Sequence, residues 1–132
     1  MNQVKSKERV KKYGEVYTRL QEVNAMLDLL PDITIDMTFL EPACGNGNFV
    51  IEILKRKFEK CKKKSDFITA LKSVYAIDIL ADNIEECKNR VKSLYRSYGQ
   101  KENIDFILDT NIFQGNSLAI MRLLEECQCQ GG

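Results

Sequence analysis

Residues 39–50, Phe-Leu-Glu-Pro-Ala-Cys-Gly-Asn-Gly-Asn-Phe-Val, constrain the fold of this chain more than any other stretch. An apolar run, Met37 to Leu40, ends in Glu41 and Pro42. A loop carrying Gly45 and Gly47 follows, and a helical pattern begins at Phe49. Two glycines two apart at a strand-to-helix turn let the backbone come close to a bound ligand, because neither carries a Cβ. Such a turn belongs to a sheet whose strands are joined through helices.

The rest of the chain agrees with that class. Its 132 residues are enough for one domain with a real core. At 44% hydrophobic and 30% charged residues, with a net charge of +1, the composition is that of an ordinary globular domain. It gives no overall pull toward nucleic acid or a membrane surface. No apolar stretch reaches the length of a membrane span, and the polar N-terminus lacks a signal-peptide core, so a cytoplasmic location is expected. Five cysteines (Cys44, Cys61, Cys87, Cys127 and Cys129) with no Cys-x-x-Cys pair and no histidine fit free thiols better than a zinc site. Without a histidine to act as base, Cys44 reads as a small buried residue and not as a nucleophile.

Hydrophobic periodicity alternates along the chain. A basic N-terminal arm, residues 1–17, leads to a helix over about Thr18–Leu30, with Leu20, Val23, Met26, Leu27 and Leu30 on one face; Pro31 and Asp32 end it. A strand is expected at Met37–Glu41, and a helix after the glycine loop with Phe49, Val50, Ile53, Leu54 and Phe58 at helical spacing. Ser73–Asp78 reads as a second strand. The next helix spans Ala81–Tyr95 with Ile84, Cys87, Val91 and Leu94 facing inward. A third strand is expected at Ile104–Leu108, followed by a short apolar stretch at Ile112-Phe113. Gly115-Asn116-Ser117 then opens a last helix, Leu118–Glu126, with residues 127–132 as a frayed tail. Strands alternating with helices imply an α/β fold with a parallel sheet.

The stretch Glu-Pro-Ala-Cys-Gly-x-Gly-x-Phe (Glu41 to Phe49) resembles the cofactor loop of S-adenosylmethionine (SAM)-dependent methyltransferases, and within them the N6-adenine DNA methyltransferases of restriction–modification systems. A second match lies at Lys12–Arg19, Lys-Tyr-Gly-Glu-Val-Tyr-Thr-Arg. It resembles the segment that commonly ends in Tyr-Thr-Pro and reaches the methionine end of SAM, with Arg19 standing where that proline is expected. Its position ahead of the glycine loop is the element order of gamma-type and many type I modification enzymes. The resemblance implies a truncated Rossmann-like methyltransferase fold of about three parallel strands flanked by helices, spanning residues 1–132 as a single partial domain. It also implies SAM as cofactor.

On an open parallel sheet the ligand lies outside the carboxyl ends of the strands. The residues expected to bind SAM are therefore Tyr17 and Thr18 in the N-terminal segment; Glu41, Pro42, Ala43, Cys44, Gly45, Gly47 and Phe49 around the glycine loop; Asp78 and Ile79 after the second strand; and Asn116 and Ser117 before the last helix. Asp78 can accept hydrogen bonds from both ribose hydroxyls, or it can cap a helix. In dinucleotide folds the equivalent acid lies about 20 residues beyond the glycines, whereas Asp78 follows Gly47 by 31. The Lys-rich stretch Lys55–Ser65 accounts for the excess. Ile79 can lie on the adenine ring. Asn116 can meet the adenine amino group, where an Asp is usual, or cap the last helix. Glu41 can meet the SAM ammonium or flank a buried strand. A pair such as Tyr13 and Tyr17 is more often core packing than recognition.

Adenine methyltransferases of this kind carry Asn/Asp-Pro-Pro-Tyr/Phe after the fourth strand, where it holds the flipped base. The chain has two prolines, Pro31 and Pro42, and hence no Pro-Pro. The expectation is a chain that binds SAM but transfers no methyl group by itself, as one half of a split enzyme or a fragment, with no catalytic residues of its own. The alternative is a non-enzymatic protein of a phage or mobile element that keeps the fold to bind a partner or interfere with host defence. Methylation of a small molecule or a protein would need a substrate pocket for which this length leaves no room.

Two partner surfaces are expected. Lys55, Arg56, Lys57, Lys60, Lys62, Lys63 and Lys64 could steer DNA phosphates, although such a run is commonly a solvated helix face. The last strand of a three-stranded sheet leaves an edge that another copy or a complementary catalytic subunit can pair with, at Ile104–Leu108 or Ile112-Phe113.

Overall fold

The structure, a computed structural model, describes residues 19–131. Its elements are α1 (Leu20–Leu27), β1 (Phe39–Glu41), α2 (Asn48–Phe58), α3 (Lys64–Lys72), β2 (Val74–Asp78), α4 (Ala81–Ser97), α5 (Asp105–Asn111), β3 (Ile112–Gln114) and α6 (Ser117–Gly131). The strands form one parallel sheet in the order β1-β2-β3. This is a three-stranded Rossmann-like arrangement flanked by helices. The basic arm at residues 1–17 lies outside the described residues. The last helix continues to Gly131, beyond the Glu126 at which the sequence pattern gives out.

Parallel strands need crossovers, and α2 and α4 supply them. Both crossovers step the same way across the sheet, so α2 and α4 pack on β2 over one face. That face carries Val74, Ala76 and Ile112, all buried. Val50, Ile53, Leu54 and Phe58 from α2, and Ile84, Cys87, Val91 and Tyr95 from α4, complete the core. Phe58 anchors an aromatic cluster, 5.1 Å from Phe67 and 5.3 Å from Tyr98 between ring centroids. The opposite face is barer: the register partners Leu40 and Tyr75 are 56% and 39% exposed.

Three expectations change. Ile104–Leu108 is not a strand. Asn103 Oδ1 accepts the Asp105 N–H at 2.9 Å and starts α5, which buries Ile104, Leu108 and Asn111 at the spacing of one helix face. The third strand is instead Ile112–Gln114, the stretch read only as a short apolar run. In α1, shorter than the expected Thr18–Leu30, Val23 and Leu27 are buried, while Leu20, Met26 and Leu30 are exposed. An additional helix, α3, follows the Lys-rich stretch, whose first residues extend α2. Just ahead of it, the N–H groups of Lys62 and Lys63 donate to Asp66 Oδ2 in its first turn, and Asn111 Nδ2 donates to the carbonyls of Lys72 and Val74 at its far end.

Lys57 on α2 is the most deeply buried cation among the described residues, with no exposed surface. Its three N–H groups are shared among the Thr34, Ile35 and Met37 carbonyls and Ser73 Oγ, tying α2 to the loop that leads into β1. Burial pulls its pKa down to about 8, and the Asp36 carboxylate opposes that shift.

Candidate cofactor site

The glycine loop follows β1 and packs on the carboxyl end of β2, which in turn bonds to the end of β3. After Glu41, the loop is stitched to the central strand: the Cys44 N–H donates to the Ile77 carbonyl at 2.9 Å, and the Gly45 N–H to Asp78 Oδ2 at 2.9 Å. On the other flank the Gly115 N–H donates to the Asp78 carbonyl at 2.9 Å, and Gln114 Nε2 to the Ile79 carbonyl at 3.0 Å. Glu41–Phe49, Asp78-Ile79 and Asn116-Ser117 therefore lie at one end of the sheet, as the sequence predicts. Tyr17 and Thr18 lie outside the described residues.

Both loop glycines are needed for their backbone. Gly45 and Gly47 have φ of 53° and 96°, a left-handed region that side chains disfavour. A Cβ on Gly47 would also fall 2.7 Å from Cys87 Sγ. Gly47 is the residue before α2, and its carbonyl accepts the Ile51 N–H to begin that helix.

Asp78 is more committed than its expected role requires. Besides Gly45, it takes the Leu80 N–H (2.9 Å) and Asn83 Nδ2 (3.2 Å) on Oδ1. A carboxylate offers about four acceptor positions, so three protein donors leave room for one more. With 9% of its surface exposed, Asp78 fastens the loop and α4 to β2. Accepting both ribose hydroxyls would require it to release a protein donor. Asn116 acts as the helix cap: its Oδ1 accepts the N–H groups of Leu118 at 3.0 Å and Ala119 at 3.3 Å. Ile79 is 46% exposed beside Asp78, an apolar surface at the mouth of the site.

Cys44 is buried, and a hydrogen bond with Cys87 together with burial pushes its thiol well above the ordinary range. It is a packing residue with no nucleophilic character. Glu41 is half-buried, and desolvation raises its pKa although Oε1 accepts the Ala43 N–H at 3.2 Å. It sits in a groove of about 240 Å³ at the free edge of β1, walled by Met26, Leu30, Phe39, Leu40 and Phe49.

Three contributors escape a motif reading: Asn83, Cys87 and Arg90. Arg90 Nη1 donates to the Asn46 carbonyl at 3.0 Å and to Asn48 Oδ1 at 2.9 Å. Their signal is helical periodicity. The three lie at i, i+4 and i+7 on α4, so the face that buries Cys87 also aims Asn83 and Arg90 at the loop.

The cationic run is largely balanced by local acids. Lys55 pairs with Glu52 (3.2 Å), Arg56 with Asp28 (2.7 Å), Lys60 with Asp32 (2.6 Å) and Lys64 with Glu102. Lys57, buried among carbonyls, cannot face DNA, which corrects the expectation for that residue.

Among known proteins, the chain is 34% identical over 83 residues to the type II methyltransferase M.VspI of Vibrio sp. (strain 343). The alignment covers 63% of this chain and 18% of that relative, so the chain corresponds to a minor part of its length. No family model and no solved structure matches. A glycine loop fastened to a carboxylate at the second strand end, on a parallel sheet, occurs here together with this sequence similarity. Over the aligned stretch, the chain is similar to a restriction–modification methyltransferase.

Proposed function

We propose that these residues form the SAM-binding part of an adenine-specific DNA methyltransferase that works in the cytoplasm. The observation that carries the proposal is the convergence of the Glu41–Phe49 loop, Asp78-Ile79 and the start of α6 at one end of the sheet. Glu41 supports the methionine end of the assignment. It is a half-buried carboxylate with a raised pKa, and a ligand ammonium would stabilise its charged form. The adjoining groove suits the thioether chain, and Ile79 offers a face for the adenine. Asp78 takes a ribose hydroxyl on its remaining acceptor position.

On this reading the residues that hold a target base lie elsewhere, since these 132 contain no adjacent prolines. In this proposal the isolated chain binds SAM without transferring its methyl group, and a complementary catalytic subunit or further polypeptide supplies the base pocket. The exposed Leu40–Tyr75 face favours such a covering partner, or a second copy. It equally supports the second reading, a non-enzymatic protein that uses this fold to bind a partner. The lysine run has no part in this reading: Lys55, Arg56, Lys60 and Lys64 pair with nearby acids and Lys57 is buried.

Thermal denaturation with SAM and with NAD tests the cofactor. A ligand that binds only the folded state raises the melting temperature as its concentration exceeds Kd. SAM is expected to raise it and NAD to leave it unchanged. A shift with NAD alone would replace the assignment with a dinucleotide one.

A further inference from the structure

We infer that Arg90 is a positioning residue that holds the glycine loop in its ligand-ready shape. This inference rests on the SAM assignment for its ligand, but not for its geometry. A loop with two glycines in left-handed conformations has many alternatives in an unrestrained chain, and little intrinsic preference selects this one. Contacts from outside the loop must select it. Asp78 holds the first glycine by its N–H. Cys87 fills the space against Gly47. The peptide between the two glycines is held by Arg90, which reaches from α4 to the Asn46 carbonyl and continues to Asn48 Oδ1 in the first turn of α2.

One guanidinium thus joins the loop to the helix that follows it. These are hydrogen bonds from a charged donor, stronger than neutral ones. Asn46 and Asn48 are both buried, so a loop that rotates away must give up this donor in a poorly solvated place. Because Arg90 meets the Asn46 carbonyl, the peptide's N–H side, at Gly47, is left to bond the Cys44 carbonyl at 2.9 Å. The stripe Asn83, Cys87 and Arg90 then acts as a mould, with Arg90 fixing the orientation of the central peptide.

The test compares the wild-type chain with Arg90→Met and Arg90→Lys. It reads SAM affinity by calorimetry, amide hydrogen exchange at Gly45 and Gly47 without ligand, and the melting temperature. Arg90→Met is expected to weaken SAM binding roughly tenfold, the size of one charge-assisted hydrogen bond, and to speed exchange at both glycines. Arg90→Lys should restore part of each effect, because an ammonium can reach one acceptor without the planar fork. Unchanged affinity and exchange in Arg90→Met would overturn the inference. So would a lower melting temperature accompanied by wild-type affinity and glycine exchange in the folded protein. If Arg90→Met does not fold, Arg90→Gln, which keeps a neutral N–H donor, carries the same comparison. If the wild-type chain does not bind SAM, the cofactor assignment fails, while the exchange measurements still decide the role of Arg90.

Discussion

The Asp78 carboxylate accepts the Gly45 N–H at 2.9 Å across 33 residues of sequence. This bond makes the glycine loop a property of the whole sheet and not of a local turn. Its partner oxygen takes Leu80 and Asn83, so a single side chain joins the loop, β2 and α4. Asp78→Ala removes all three interactions at once. Chemical denaturation should show a loss of at least about 2 kcal/mol, since each hydrogen bond to a charged group is worth about 1.5–3 kcal/mol. Wild-type stability would show that the loop is held by other contacts.

Gly47 combines a φ of 96° with a van der Waals limit at Cys87. Gly47→Ala should cost about 1–3 kcal/mol from backbone strain, plus the clash with Cys87 Sγ. The double variant Gly47→Ala/Cys87→Ala relieves the clash but not the strain. A double-mutant cycle should therefore show the two changes as less than additive. Strict additivity would mean that the sulfur does not limit this position.

Glu102 sets a pH dependence. The Lys64 ammonium, its own backbone N–H and the Tyr95 hydroxyl hold its pKa down at about 2, against 4.5 in the free side chain. A depressed carboxylate contributes stability that is present above the unfolded value and is lost as pH falls from about 4.5 toward 2. Glu102→Gln should flatten that part of the stability curve and leave the slope above pH 5 unchanged. Identical acid limbs for the two proteins would assign the dependence to other carboxylates.

Leu40 and Tyr75 face solvent side by side on the sheet, next to the free edge of β1. An apolar sheet face beside an unpaired edge favours association. Light scattering at high protein concentration should show a species larger than the monomer, and Leu40→Lys should shift it toward the monomer. A strictly monomeric wild type would count against pairing between copies.

Much of this architecture was legible in residue order. The strand–Glu-Pro–glycine–helix passage, the strand ending at Asp78 and the inward face of α4 through Ile84, Cys87 and Val91 all follow from periodicity. The Ile104–Leu108 segment did not, because five residues, Ile-Asp-Phe-Ile-Leu, are too short to carry a clear period of their own. The deciding features are the Asn103 side chain that starts the helix and the exposure of Phe106 at 84%, which a strand reading does not anticipate. Lys57 was hidden for a different reason. In a run of seven cations, nothing local marks the one that turns inward to four oxygen acceptors. Arg90 was likewise silent as a motif, because its partners lie 44 and 42 residues away in the chain.

Calorimetric titration of SAM into the 132-residue chain, beside the Asp78→Ala variant, tests the central claim most directly. The predicted result is saturable 1:1 binding by the wild type and its loss, or a weakening of roughly tenfold or more, in Asp78→Ala. No binding by the wild type, or equal affinity in the two proteins, would contradict the account.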